Sequence, residues 1–140
     1  IGITSDIMVG FPTETEDDFK ETLDLVERVR YSNAFTFIYS PRQGTPAAKM
    51  SQIPYEIKKR RIGELIHLQN KITKELSIEY VGGLYRVLCE DFAPKNEGLV
   101  CGRTESGRLV TFMGNKEDIG HFFNIRIVRT QSASLFGDKE

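Results

Sequence analysis

Two stretches of the sequence place ligand-holding residue types directly after a run able to form a strand. In residues 6–15 (DIMVGFPTET) an apolar run stops at Gly10, Phe11 and Pro12. Gly10 would let a flat ligand approach the backbone, Phe11 would give it an apolar wall, and free N–H groups near Thr15 lie beside both. In residues 35–46 (FTFIYSPRQGTP), Tyr39, Ser40 and Arg42 close a second run in the same way. A guanidinium there can hold a carboxylate or phosphate through two parallel hydrogen bonds. Each stretch has a plainer reading too: a strand–turn–helix junction for the first, an exposed loop arginine for the second. A third pattern lies further on, where Arg103, Arg108, Phe112, Arg126 and Arg129 interleave basic and aromatic types. Phosphate contacts combined with base stacking are the chemistry of RNA binding, although Glu105, Glu117 and Asp118 dilute the charge. Cys89 and Cys101 stand alone, without a CxxC or CxxxC spacing, and read as small buried hydrophobes, with no metal site. His67 and His121 are isolated and read as structural.

The elements that must position these residues follow from periodicity. Ile7-Met8-Val9, within residues 3–11, reads as a buried strand stopped by Gly and Pro. Thr13 and Glu16 have the spacing of a capping box, and Phe19, Leu23, Val26 and Val29 trace one stripe of a helix of about 15 residues. Residues 35–39 form a second strand. A second helix is expected from Pro54 to about Tyr80, with Ile57, Arg61, Leu65, Leu68, Ile72 and Leu76 inward and a stop at Gly82-Gly83. Strand, helix, strand, helix implies βα units with a parallel sheet. Two units cannot close such a sheet, so residues 1–76 read as a slice of a larger α/β domain, with open strand edges prone to self-association. After Gly83 the texture changes to short period-two runs at 84–92, 98–103, 108–112, 123–130 and 134–136. Turn residues at 93–97, 106–107 and 114–116 separate them. Residues 77–140 therefore read as a small antiparallel β-barrel of the OB or SH3-like kind. Its inward positions are expected at Tyr85, Val87, Cys89, Leu99, Cys101, Leu109, Ile125 and Ile127 or their alternates.

Charge and composition set the outer bounds. The 140 residues are 39% hydrophobic and 28% charged, which is soluble-globular usage. Nineteen basic and twenty acidic residues leave a net charge of −1 and exclude a strongly basic nucleic-acid protein on bulk charge. No apolar run reaches the roughly 20 residues of a membrane span, and no secretory leader is seen. The plain expectation is a cytoplasmic protein without membrane partners. The near-neutral total conceals a net of −5 over residues 1–30, +5 over 31–76 and −1 over 77–140. The run Lys58-Lys59-Arg60-Arg61 reads as a solvated helix face.

Taken in order, three blocks resemble the C-terminal part of the radical SAM methylthiotransferases. DIMVGFPTETEDDF resembles that family's Gly-Phe-Pro-Gly-Glu-Thr signature, and FTFIYSPRQGTPAAKM its Tyr-Ser-Pro-Arg-x-Gly-Thr-Pro-Ala block. The end, from GRTESGRLVTF to IGHFFNIRIVRTQSASLFG, resembles its appended TRAM domain. The resemblance is greatest to the tRNA-modifying branch, with the ribosomal-protein-modifying branch as the alternative. It implies an α/β plus all-β fold. Residues 1–76 would be the last βα units of a partial TIM-like radical SAM barrel, and 77–140 a TRAM RNA-binding barrel. It implies S-adenosylmethionine near Gly10, Phe11, Pro12, Tyr39, Ser40 and Arg42, and [4Fe–4S] clusters whose ligands lie outside these residues. The tRNA anticodon stem-loop would be gripped by Arg103, Arg108, Phe112, Arg126 and Arg129. The implied reaction inserts a methylthio group at C2 of N6-isopentenyladenosine beside the anticodon. No catalytic residue is implied in this stretch, which is expected to be inactive by itself; an RNA-binding module without chemistry is the other reading. The sequence departs from the family pattern at Thr13 (usually Gly), Gln43 (Pro), Glu105 (basic), Gly107 (Asn) and Ala133 (Trp).

Overall fold

The computed structural model describes residues 1–94 and 98–140 and divides into two compact units. The expected turn at 93–97 falls largely on Lys95, Asn96 and Glu97, outside the described residues.

Residues 3–72 form the first unit. Strand β1 (Thr4–Val9) leads to helix α1 (Glu16–Val29), strand β2 (Asn33–Ile38), a single 3₁₀ turn (Ala47–Lys49) and helix α2 (Tyr55–Ile78), which runs on past this unit. β1 and β2 pair in parallel with Thr4 opposite Asn33 and Val9 opposite Ile38. The turn chemistry that starts α1 sits two residues later than the Thr13–Glu16 spacing implied. The Thr15 hydroxyl accepts from the Asp18 N–H, and the Asp18 carboxylate accepts from the Thr15 N–H at 2.7 Å. Glu16 is thereby freed for another role. Phe19 and Val26 carry the helix's buried stripe, together with Val9, Leu65 and Ile72. β1 is not buried on both faces, as a continuous apolar run would be. Val9 is fully buried, but Met8, Phe35 and Phe37 on the other face are 39%, 69% and 48% exposed.

Thr13 adopts φ 82°, a left-handed backbone that a β-branched side chain resists by about 1–2 kcal/mol. Thr13→Gly is therefore expected to raise the melting temperature of the first unit by roughly 4 °C. An unchanged or lower transition in a thermal scan would contradict this.

The second unit contains residues 73–140. Strands β3 (Leu84–Phe92), β4 (Leu99–Thr104), β5 (Leu109–Met113), β6 (Phe122–Gln131) and β7 (Ser134–Lys139) close a barrel in the order β3-β4-β5-β7-β6. The barrel is not wholly antiparallel, because β7 runs parallel to β5, with Val110 opposite Leu135. Its core is Val87, Cys89, Val100, Val110, Phe112, Ile125, Ile127 and Leu135, all at most 1% exposed. In β4 and β5 the alternates to Leu99, Cys101 and Leu109 face the core, with Val100 and Val110 pointing inward. Closure uses two bulges, each facing a glycine. Gly102 opposes Cys89 beside the break between Cys89 and Asp91, and Gly137 opposes Ile127 beside the break between Ile127 and Arg129.

Candidate functional site

In the first unit the carboxyl ends of β1 and β2 bring Phe11, Tyr39, Ser40 and Arg42 together. With Met8 and Phe37 they line a concavity of about 410 Å³. The rings of Phe11 and Tyr39 meet edge to face at 5.1 Å between centroids. Apolar walls with a guanidinium and hydroxyl-bearing residues at the rim can take a flat heterocycle carrying a carboxylate. Gly10 and Pro12 are buried and do not line this space. Gly10 (φ 77°) gives close approach to a side chain, not a ligand: a Cβ there would lie 2.6 Å from Lys58 Cγ. The Gly10 N–H donates to Glu14 Oε2 at 2.9 Å, which fixes the turn.

The basic run of α2 is only partly solvated. Lys58 and Arg61 are 6% and 3% exposed, while Lys59 and Arg60 face solvent. Arg61 donates to Glu14 Oε1 at 2.5 Å, to the Glu14 carbonyl at 3.1 Å and to Glu16 Oε1 at 2.7 Å. Arg60 also pairs with Glu16, at 2.6 Å. The hydrogen bonds from Arg61, then Arg60, hold the Glu16 carboxyl below its ordinary value of 4.5. The negative helix start and the positive second helix seen in the sequence are therefore clamped together.

In the barrel the five expected RNA contacts separate. Phe112 is in the core, where no base can stack on it. Arg108 is 6% exposed, donates to Ser77 Oγ at 3.2 Å and lies over the Tyr80 ring, so it braces the barrel from inside. Arg103 is on the surface but pairs with Glu90 at 3.3 Å and donates to the Gly107 carbonyl. Arg126 pairs with Glu140 and donates to the Gly82 carbonyl at 3.0 Å. Arg129 lies over the Phe136 ring, its Cζ 3.6 Å from the centroid. A matching pair absent from the sequence expectation is Arg86 over Phe122, at 4.1 Å. Arg86 alternates with buried Val87 and Cys89 along β3, and this parity was the signal that could have exposed it. Both pairs lie on the outer surface of β3, β6 and β7. Asp138 and Glu140 share that surface.

Burial pushes the Cys89 and Cys101 thiols up, so neither is a thiolate at neutral pH. Cys101 is only half-buried, with Sγ 3.6 Å from the Phe92 carbonyl, and Cys89 alone is a core residue. Both histidines are exposed. Among the described residues no three His, Cys, Asp or Glu side chains gather.

Comparison with known proteins bears on both units. The TRAM domain family matches residues 79–139. Across 99% of its length the chain is 44% identical to a tRNA-2-methylthio-N(6)-dimethylallyladenosine synthase of Clostridium botulinum (strain Langeland). Along essentially its whole length the chain is thus similar to enzymes named for this tRNA modification. Enzymes of the same description from Acetivibrio thermocellus and Syntrophomonas wolfei are 46% and 48% identical over 98% and 99% of the chain. The chain spans between 29% and 31% of the length of these methylthiotransferases. Among the described residues no helix is long and apolar enough to cross a membrane.

Proposed function

We propose that this chain is part of a cytoplasmic tRNA methylthiotransferase in which the barrel grips the anticodon stem-loop. The first unit would contribute the last βα units of a TIM-like radical SAM barrel. The reaction is the insertion of a methylthio group at C2 of N6-isopentenyladenosine beside the anticodon. The observation that carries this reading is the identity of 44–48% along essentially the whole chain to enzymes named for that modification. The exposed face of Met8, Phe35 and Phe37 supports it, because the inner wall of a barrel is apolar and needs neighbouring strands to cover it. In isolation the same open edges would let the 140 residues self-associate.

S-adenosylmethionine would rest between Phe11 and Tyr39, with Arg42 on its carboxylate and Ser40 at the rim, while Gly10 and Pro12 shape the turn. When bound it supplies a methyl group and, on one-electron reduction, a radical. The cluster that reduces it is proposed to be held by other residues of the longer protein, so that the 140 residues are inactive alone. RNA would lie along β3, β6 and β7 on the Arg86–Phe122 and Arg129–Phe136 pairs. Arg103 and Arg126 would be weaker contacts because carboxylates already hold them. Arg108 and Phe112 would act only by keeping the barrel in shape.

Incubating the longer protein, reconstituted with iron and sulfide, with S-adenosylmethionine and tRNA is expected to give 2-methylthio-N6-isopentenyladenosine by nucleoside mass spectrometry. Modification of a ribosomal protein in place of tRNA would redirect the assignment to the other branch of the family. No modification of either would leave the RNA-binding module without chemistry.

A further inference from the structure

Lys58 stands in the first turn of α2, is 6% exposed, and its ammonium has one hydrogen-bond acceptor, the Tyr39 carbonyl at 3.3 Å. Nζ also lies 5.4 Å from the centroid of the Tyr39 ring. Among the described residues no carboxylate pairs with it. A cation taken out of water with donors to spare is unfavourable until an anion meets it. The stem cannot swing outward freely, because it fills the space left by the missing Cβ of Gly10. Beside it lies a concavity of about 340 Å³, lined by Tyr39, Ser40, Pro41, Ile53, Tyr55 and Lys58. Ser40 and Tyr55 bring hydroxyl donors to it, and the Tyr39 hydroxyl is buried without a partner among the described residues. The start of α2 adds the positive end of a 24-residue helix to the same place.

We propose that this concavity binds a single oxyanion, a carboxylate or a phosphate group, through the Lys58 ammonium assisted by the Ser40 and Tyr55 hydroxyls. The site is separate from the larger space between Phe11 and Arg42, and it does not depend on the reaction proposed above. The oxyanion could come from an RNA backbone or from the carboxylate of a small molecule. The whole chain, labelled with ¹³C-lysine, separates these sources by NMR. The Lys58 ε-methylene signal, identified by its loss in Lys58→Met, is expected to move along a saturable curve with inorganic phosphate while exposed lysines only drift. Lys58→Met keeps the stem against Gly10. Movement at lower concentration with an RNA stem-loop assigns the anion to a phosphodiester, and with acetate to a carboxylate. In a second variant, Ser40→Ala with Tyr55→Phe, the packing is untouched and phosphate affinity is expected to fall about fivefold. A Lys58 signal that none of the three probes moves in the folded wild-type chain would overturn the proposal. So would a phosphate affinity unchanged in the second variant.

Discussion

Arg61→Ala is expected to lower the unfolding free energy of the first unit by about 3–5 kcal/mol. The side chain is 4% exposed and serves two carboxylates and a carbonyl on the loop that starts α1. Removing it leaves the largely buried Glu14 carboxylate without its cation. The same loop carries Phe11, so loss of the clamp should also loosen the wall of the 410 Å³ concavity. Arg61→Lys should recover little, since one ammonium cannot reproduce the guanidinium's geometry toward Glu14 and Glu16 together. The pH dependence has a definite sign. The Glu16 carboxyl is depressed in the folded state, chiefly by its hydrogen bond from Arg61. Its contribution is therefore present above the ordinary value of 4.5 and is lost as the pH falls through the lower folded value. Urea unfolding at pH 7 and near pH 3 measures both effects. A wild-type-like midpoint for Arg61→Ala at pH 7 would remove the clamp from the description of this fold.

Gly102→Ala should be as damaging to the barrel. A Cβ at Gly102 would overlap the Leu88 carbonyl oxygen and come within 2.7 Å of its carbon. These are backbone atoms at a bulge and cannot turn aside as a side chain would. The expected cost is about 3 kcal/mol or more, enough to lose the cooperative unfolding transition of a small barrel. Gly107→Ala, with open space around its Cβ, is a matched comparison in which only the strain of a positive φ is paid. Circular dichroism and a denaturant titration of both variants decide the matter. Equal stability of the two would show that the bulge relaxes and that Gly102 does not set barrel closure.

The sequence made the order of elements legible because its periodicity is strong. Phe19 and Val26 mark α1, and the turn residues fall between runs that all became strands. What it hid depends on contacts between distant segments. Arg61 looks like one member of a solvated basic run until Glu14 and Glu16 are placed opposite it. Phe112 looks like a stacking residue in a basic strand, but it shares the parity of Val110, which points into the core. Parity in β4 and β5 stays open in the sequence, since Leu99-Val100-Cys101 and Leu109-Val110-Thr111 are apolar enough on both sides to fit either register. The parallel pairing of β7 with β5 was not accessible either, because it depends on how the barrel closes rather than on any local pattern. Of the expected ligand site, Phe11, Tyr39, Ser40 and Arg42 converge, while Gly10 belongs to the Lys58 stem.

On the proposed reading, the outer surface of β3, β6 and β7 holds RNA. The most direct test of that reading is the affinity of the chain for an anticodon stem-loop across a range of salt, with Arg86→Ala/Arg129→Ala beside the wild type. Both residues are exposed and without ion pairs among the described residues, so the double variant should fold normally. Binding is expected to weaken roughly tenfold or more, and the slope of log affinity against log salt to fall by about 1–2, one increment per lost phosphate contact. Affinity and salt slope both unchanged in the folded double variant would contradict that reading.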